Sequence, residues 1–442
     1  MARQSINRSQ RPRTLATAMC LVMSAAVVGA CDEQAPHSSE RAHTNEAGSL
    51  PAFDRDDEVA FRAGCNAVPL DSVKTGRELV IRNTVIVDDP VRTTWNGSLN
   101  TSSSGVWHFG RLMTQMAGDR NPSDFVRQWL ETWSVDRPVN GQTIPARSEI
   151  NDVLAAWPKK SNGELDLTKA PFRLLAIVNR VDLAGANDAG EGRFVFGLLD
   201  TDGSPLQFTV ILEYDLPLSA MSHEKWTEAW HELSSLNWGS SAYKQKLQAL
   251  TQAFARKNAM PARPNGSAIS QVRTNEIALD APWELREFLL KKSGVQAGLL
   301  KQRTVALTPR NNLDGTARLG RFINQNEDLI LEGRHGVPFQ FEGAPFRSGG
   351  VENSIDFWSA PNVADNEARH RFSLSTCNGC HGAETGTDFL HIRPREAGKL
   401  AGLSAFMTGT TVQDPVVPSV SRNMGEFQRR QAFVRDVLCD AQ

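Results

Sequence analysis

The chain has 442 residues, of which 40% are hydrophobic and 22% charged, and its formal net charge is −2 at pH 7. These proportions are typical of a soluble globular protein. The length exceeds what one hydrophobic core usually serves, so we expect a large domain and a smaller one. A nearly neutral chain without a basic cluster argues against nucleic-acid binding.

Residues 1–30 have the pattern of a bacterial lipoprotein signal peptide. Arginines up to Arg13 precede an apolar run over 15–30, which is too short to indicate a membrane span. The run ends in Val28-Gly29-Ala30-Cys31, which resembles the lipoprotein box, where cleavage precedes the cysteine and its thiol is lipidated. The resemblance implies that acyl chains on Cys31 anchor the protein to a bacterial cell membrane, inner or outer. The alternative is ordinary secretory cleavage with Cys31 unmodified.

Residues 31–57 are polar and charged and show no periodicity, which predicts a disordered tether. The folded remainder is then expected outside the cytoplasm, next to the membrane that holds the lipid.

Residues 58–341 predict an α+β domain of unknown function. Short apolar runs at 172–178, 193–199 and 207–214, joined by Gly- and Asp-rich loops of hairpin length, predict a three-stranded antiparallel meander. Their continuous apolarity indicates that both faces of the sheet are buried. Helical periodicity predicts covering helices at 107–117, 125–133, 223–236, 241–257, 267–278, 283–292 and 320–325.

Polar residues gather at the ends of the predicted meander. They could line a site, although charge pairing at a sheet edge is the simpler interpretation. They are Asn179, Arg180, Asp182, Glu191, Arg193 and Glu213.

Residues 342–361 predict a linker to a small, mostly helical segment at 362–442. Within it, Cys377-Asn378-Gly379-Cys380-His381 matches the signature of covalent haem c attachment. The two thiols would add to the two vinyl groups of the porphyrin, and His381 would be the proximal iron ligand. Two alternatives remain open: a disulfide or redox dithiol, and a zinc site built from Cys377, Cys380 and two histidines.

Three residues are candidates for the distal iron ligand. His391 is favoured and would give bis-imidazole ligation with a lower potential, whereas Met424 and Met407 would give His/Met ligation. A vacant or water-bound position is the remaining possibility. The methionine-proline context usual in cytochromes c is absent.

Export also bears on the other cysteines. If Cys20 leaves with the signal peptide, Cys31 takes lipid and the central pair holds haem, then Cys65 and Cys439 remain. In an oxidising compartment they are a possible disulfide, one of three pairings that four cysteines allow.

The order of a helix, CxxCH, an irregular wrap and a terminal helix over 362–442 resembles a minimal cytochrome c domain. Over about residues 75–440, the chain also resembles uncharacterised lipoproteins of myxobacterial type. This second resemblance rests on the segments FRLLAIVNRVDL, RTNEIALDAPWELREF and FSLSTCNGCHGAETGTDFLHIRPR. That family implies no activity.

The leading expectation is a membrane-anchored mono-haem c-type protein that transfers electrons, through a possible redox partner protein, or senses redox state or a small gas. A haem-dependent oxidase or peroxidase-like enzyme is one alternative. A surface binding lipoprotein without haem, with a Cys377–Cys380 disulfide, is another. No GxSxG, P-loop or GxGxxG unit indicates a catalytic class in the large domain.

Overall fold

The computed structural model describes residues 68–96 and 104–440. The predicted signal peptide, the tether, the lipidation site Cys31 and the candidate disulfide partner Cys65 all lie outside these residues.

Helices and strands alternate along the described chain, which gives a mixed α and β fold. The helices are α1 (Thr84–Val87), α2 (Pro90–Thr93), α3 (Phe109–Ala117), α4 (Pro122–Leu130), α5 (Ile150–Ala156), α6 (His223–Ser235), α7 (Ser241–Ala255), α8 (Ala317–Gln325), α9 (Glu327–Leu331), α10 (Asn366–Ser375), α11 (Cys377–Cys380), α12 (Ala405–Thr408) and α13 (Glu426–Asp440). The strands are β1 (Val80–Ile81), β2 (Arg137–Val139), β3 (Gln142–Ile144), β4 (Phe172–Arg180), β5 (Glu191–Leu199), β6 (Pro205–Asp215), β7 (Ile269–Glu276), β8 (Glu284–Leu290), β9 (Leu300–Arg303), β10 (Gln340–Phe341), β11 (Ala344–Pro345), β12 (Val351–Glu352), β13 (Thr410–Gln413) and β14 (Ser421–Met424).

One antiparallel sheet organises the fold. Its strands are hydrogen-bonded in the order β1-β4-β5-β6-β7-β8-β12, and β9 also pairs with β8. The predicted meander is confirmed as β4, β5 and β6, which pair consecutively through short connections. Three small hairpins, β2–β3, β10–β11 and β13–β14, lie outside the sheet.

Helices cover one face of this sheet. Phe194, Phe196 and Leu212 belong to the same buried cluster as residues of α3, α4, α6 and α7. The Phe109 ring of α3 stacks on Phe172 at a centroid distance of 4.1 Å. Ser222 caps helix α6, because its side chain accepts a hydrogen bond from the backbone of the first turn, and Ser240 caps α7 in the same way.

The C-terminal part of the chain covers the opposite face. Leu175, Val178 and Val195 of β4 and β5 lie in a second buried cluster with Phe406 and Met407. The sheet is therefore buried on both faces, as its continuous apolar strands indicate, and the cover of its second face contains the CxxCH segment.

Two of the predicted helices are wrong. The described structure has strands β7 and β8 where helices were expected at 267–278 and 283–292. Both strands carry buried charges, such as Glu276, Glu284 and Arg286. Charged residues spaced among apolar ones resemble the pattern of an amphipathic helix. The predicted helices at 107–117, 125–133, 223–236, 241–257 and 320–325 correspond to helices in the structure.

The terminal helix α13 packs on α6 and on the segment before β1. The helix that precedes CxxCH, α10, packs instead on α8 and α9. The described residues on both sides of 342–361 belong to one compact unit, and a separate cytochrome c-like domain stays a prediction. Cys439 is disulfide-bonded, and its partner lies outside the described residues. None of the described helices combines the length and apolarity needed to cross a membrane.

Candidate functional site

The CxxC pair forms one helical turn whose N-terminal end is held by two hydrogen bonds. The Thr376 side chain caps it by accepting a hydrogen bond from Gly379 N at 3.1 Å, and Cys377 N donates to Thr308 Oγ1 at 3.0 Å. A Cβ at Gly379 would lie 2.1 Å from the carbonyl oxygen of Ser373. The site therefore requires glycine at this position, because any side chain would displace the preceding helix. The two thiols, three residues apart, lie on the same side of the turn.

Two imidazoles lie beside these thiols. The ring centroids of His381 and His391 are 4.4 Å apart. The carbonyl oxygen of Phe389 lies 2.5 Å from His381 Nδ1, and since a carbonyl can only accept, Nδ1 is the protonated nitrogen. This tautomer leaves the lone pair of His381 Nε2 free for a metal.

His391 is oriented in a comparable way. Its Nδ1 lies 2.9 Å from Ser404 Oγ, and its Nε2 lies 3.3 Å from Cys380 Sγ. Phe389, whose carbonyl holds His381, has a φ of +69°. A bulky residue in this left-handed region is strained, and such strain clusters at functional sites.

Apolar side chains surround the four groups. Cys377 packs with Trp283 and Phe389, and the Trp283 ring lies 5.3 Å from the His381 ring. Cys380 borders the cluster that contains Met407 and Met424, both about 95% buried. Of the three predicted distal ligands, the structure brings only His391 against His381.

The side chains of Cys377, Cys380, His381 and His391 are all partly exposed, and we call the space between them the cleft. Cys377 and Cys380 are only half-buried, yet burial raises the pKa of Cys377 to about 11 and that of Cys380 to about 12. Burial also lowers the pKa of His381 to about 4. All three groups are therefore neutral near pH 7. A neutral imidazole is the form that binds metals, whereas a thiol that is not ionised is a poor redox nucleophile.

A chain of ion pairs crosses the sheet opposite the CxxCH turn, and we call it the ionic ladder. It comprises Glu191 and Arg193 of β5, Glu213 of β6, Arg273 of β7 and Glu287 of β8. Its links are Glu191–Arg193 at 2.5 Å, Arg193–Glu213 and Glu213–Arg273 at 3.3 Å each, and Arg273–Glu287 at 2.8 Å. Strand register places Arg193 opposite Glu213 and Arg273 opposite Glu287.

The ionic ladder lies close enough to the thiols and imidazoles for the charge of Arg273 to act on them. The Glu213 and Glu287 side chains are 0% exposed, whereas that of Arg273 is 25% exposed. Burial raises the pKa of Cys377, and the positive charge of Arg273 partly opposes this effect. Burial lowers the pKa of His381, and the charge of Arg273 lowers it further. Burial raises the pKa of Glu191.

A second set of charges, the helix charge cluster, joins α13 to the end of β4. Its members are Arg180, Asp182, Glu426, Arg429 and Arg430. Arg180 makes two bonds of 2.9 Å to the Asp182 carboxylate, and Arg429 bonds to Asp182 at 2.7 Å and to Glu426 at 2.9 Å. Of the six polar residues predicted at the ends of the meander, all but Asn179 pair within these two sets. The Asn179 side chain instead accepts a hydrogen bond from Val181 N at 3.1 Å.

The arrangement fits a shared zinc ion poorly. Ligands of tetrahedral zinc lie within about 4 Å of one another. In the described part of the chain, the one group of three metal-ligating atoms within 4.8 Å of each other is His370, Glu384 and Asp414. There, Arg369 already bonds to both carboxylates at about 3 Å, so these residues form a buried ion-pair network.

The same residues fit haem c better. Its thioether bonds join the two sulfurs to the porphyrin rim, so the thiols need not converge on the metal. Both imidazoles have Nδ1 engaged by an oxygen, and His391 Nε2 lies beside Cys380 Sγ. His381 and His391 would each offer an imidazole nitrogen to the iron of such a group.

No protein-family model matches the chain, and neither a curated protein nor a solved structure is similar to it at a significant level. The thiols and both histidines could be identified from the sequence, whereas Trp283, Arg273 and Glu287 could not. Nothing in their local sequence marks these three, because strand pairing brings them to the site.

Proposed function

We propose that this chain is an extracytoplasmic, lipid-anchored mono-haem c-type protein that transfers electrons or senses redox state or a small gas. Cys377 and Cys380 would hold the porphyrin, His381 would be the proximal ligand and His391 the distal ligand. Cys31 would carry the lipid. The bound haem would supply a one-electron Fe(III)/Fe(II) couple, and the protein would hold both imidazoles neutral.

One observation supports this proposal above others. Two thiols and two imidazoles, each imidazole with Nδ1 already engaged, line one cleft between apolar clusters. A redox dithiol requires a lowered thiol pKa, and here burial raises the pKa of both thiols. A zinc site requires ligand atoms that converge, and these do not.

A haem-dependent enzyme is the second candidate, and the ionic ladder favours it. A partly exposed guanidinium such as Arg273 beside a metal could orient a polar substrate. This candidate requires an open iron position, which would appear as a high-spin spectrum, whereas bis-histidine ligation gives a low-spin spectrum.

The test is to export the full chain in cells with a cytochrome c maturation system. We expect a red protein whose haem resists acid-acetone extraction and stains on a denaturing gel. Cys377→Ser and Cys380→Ser should each lose at least one thioether, and His381→Ala should lose the low-spin spectrum. The matched control is His223→Ala, since His223 lies on α6 and bonds to Val181 O. A colourless protein with a Cys377–Cys380 disulfide would refute the proposal.

A further inference from the structure

A small cavity lies between the N-terminal end of α3 and the strands β4 and β5, outside the CxxCH site. Its volume is about 200 Å³, and most of the residues around it are apolar. Four of these residues are aromatic: Trp107, Phe109, Phe172 and Phe196. The Phe109 ring stacks on Phe172 at a centroid distance of 4.1 Å and meets Phe196 edge-on at 5.3 Å. We call this space the aromatic cavity.

Arg395 holds one wall of the aromatic cavity in place. It donates to Leu174 O at 2.8 Å and to Val87 O at 3.2 Å, and it pairs with Asp88 at 2.6 Å. A further lining residue, Arg173, donates from Nη1 to Arg395 O at 2.8 Å. All four partners of Arg395 line the cavity. The cavity is therefore formed before any ligand arrives, as small-molecule sites usually are.

His108 gives the aromatic cavity a hydrogen-bond donor that the fold does not use. Its Nδ1 caps α3 by accepting a hydrogen bond from Gly110 N at 3.1 Å. Because Nδ1 accepts, the proton of the neutral imidazole is on Nε2. Nε2 has no hydrogen-bond partner among the described residues. Burial lowers the pKa of His108 to about 4, so the ring is neutral at pH 7 and keeps this one N–H.

The charged residues of the aromatic cavity disfavour an ionic ligand. Asp88 and Arg173 both line it, so an anion would meet a carboxylate and a cation would meet a guanidinium. Both side chains are already bonded to Arg395, and an ion would have to compete with these bonds. The Thr93 hydroxyl is also engaged, since it donates to Asp89 O at 2.7 Å. These contacts favour a neutral ligand that brings a hydrogen-bond acceptor.

The volume and the walls define the rest of the ligand. An engineered apolar cavity of about 150 Å³ takes up benzene, so the slightly larger aromatic cavity has room for one six-membered ring with a small substituent. Aromatic walls favour an aromatic ring through offset and edge-to-face contacts. We propose that the aromatic cavity binds a neutral single-ring aromatic molecule whose oxygen accepts a hydrogen bond from His108 Nε2. This site does not depend on haem.

The test measures the binding of three matched probes to the full chain by ligand-detected NMR titration. Acetophenone carries an acceptor oxygen, ethylbenzene has nearly the same shape without it, and benzoate carries a charge. We expect saturable binding of acetophenone. Ethylbenzene should bind about twofold to tenfold more weakly, since one neutral hydrogen bond contributes this much. Benzoate should bind at least about tenfold more weakly, because its charge must be desolvated.

Two variants separate the hydrogen bond from the cavity. His108→Asn keeps a side chain that caps α3 but has no donor at the position of Nε2. It should bind acetophenone only as tightly as ethylbenzene, with the affinity for ethylbenzene unchanged. Leu199→Trp fills the cavity, which Leu199 lines, and should abolish the binding of both probes. Leu218→Trp is the control, because Leu218 is 44% exposed and lies outside the cavity, and it should bind acetophenone as wild type does.

Circular dichroism establishes that each variant is folded. The site is refuted if acetophenone does not bind saturably at millimolar concentration, or if folded Leu199→Trp binds it as tightly as wild type. The role of His108 is refuted if His108→Asn keeps the wild-type affinity for acetophenone or loses affinity for both probes equally. None of these results requires haem, so a colourless protein that binds acetophenone would refute only the proposed function.

Discussion

Replacing Arg395 with Met tests how the segment that bears His391 is held on the sheet. Arg395 is 3% exposed. It donates to Leu174 O at 2.8 and 3.2 Å and to Val87 O at 3.2 Å, and it pairs with Asp88 at 2.6 Å. The bonds to Leu174 O lie where β4 shifts register against β5, so the guanidinium donates to a carbonyl group at a β-bulge.

The magnitude depends on the acceptors that Met leaves without a donor. Arg395 donates to four carbonyls, of which those of Leu174 and Val87 are buried. A buried acceptor without a partner costs about 1–3 kcal/mol. Asp88 is 31% exposed, so water screens it and its pairing adds about 1 kcal/mol or less. Met retains much of the apolar volume of the arginine stem. We therefore expect the free energy of unfolding to fall by about 3–5 kcal/mol.

Urea unfolding followed by circular dichroism measures this loss. Arg393→Met is the control, because Arg393 has an exposed side chain two residues earlier and its replacement should change stability by less than about 0.5 kcal/mol. In haem-loaded protein, Arg395→Met should also perturb the spectrum of distal ligation. If the two variants differ in stability by less than about 1 kcal/mol, the reasoning from the carbonyls is wrong.

Three further results are expected. Gly379→Ala places a methyl group 2.1 Å from Ser373 O and should lower the free energy of unfolding in urea by at least about 1–3 kcal/mol. Gly76→Ala is the control, because a Cβ there has no atom within 4 Å, and it should lower this free energy far less. Equal losses of stability in the two variants would contradict the clash. Burial raises the pKa of Asp215 to about 7, above its unfolded value of about 3.9, so wild-type stability should fall as pH rises from about 4 to about 7. Asp215→Asn should flatten that slope, and an unchanged slope would exclude Asp215 as its source. In haem-loaded protein, His391→Ala should convert the low-spin spectrum to a high-spin one. If a methionine were the distal ligand, the spectrum of this variant would stay low-spin.

Local sequence was sufficient for the elements whose side chains follow one period. The meander strands β4 to β6 are apolar and are bounded by turn residues, so their extent could be predicted to within a few residues. Strands β7 and β8 could not, because their buried charges pair across the sheet. Arg273 bonds to Glu213 on one neighbouring strand and to Glu287 on the other, and such partners are visible only after the strands are aligned.

The same limit applies to the cleft. Cys377, Cys380 and His381 are adjacent in sequence, so spacing alone predicts them as one chemical unit. Trp283 lies about a hundred residues earlier and contacts His381 only because β8 runs beneath the CxxCH turn.

The position of the sheet's second cover affects how the protein is made. Synthesis proceeds from the N-terminus, so β4 to β8 emerge well before residues 401–440 that shield Val178 and Val195. Until those last residues are synthesised, this face of the sheet is an exposed apolar surface that also carries charged side chains. A chain that stops early, for example from a frameshift near its end, would keep that surface open and should be prone to aggregation and proteolysis.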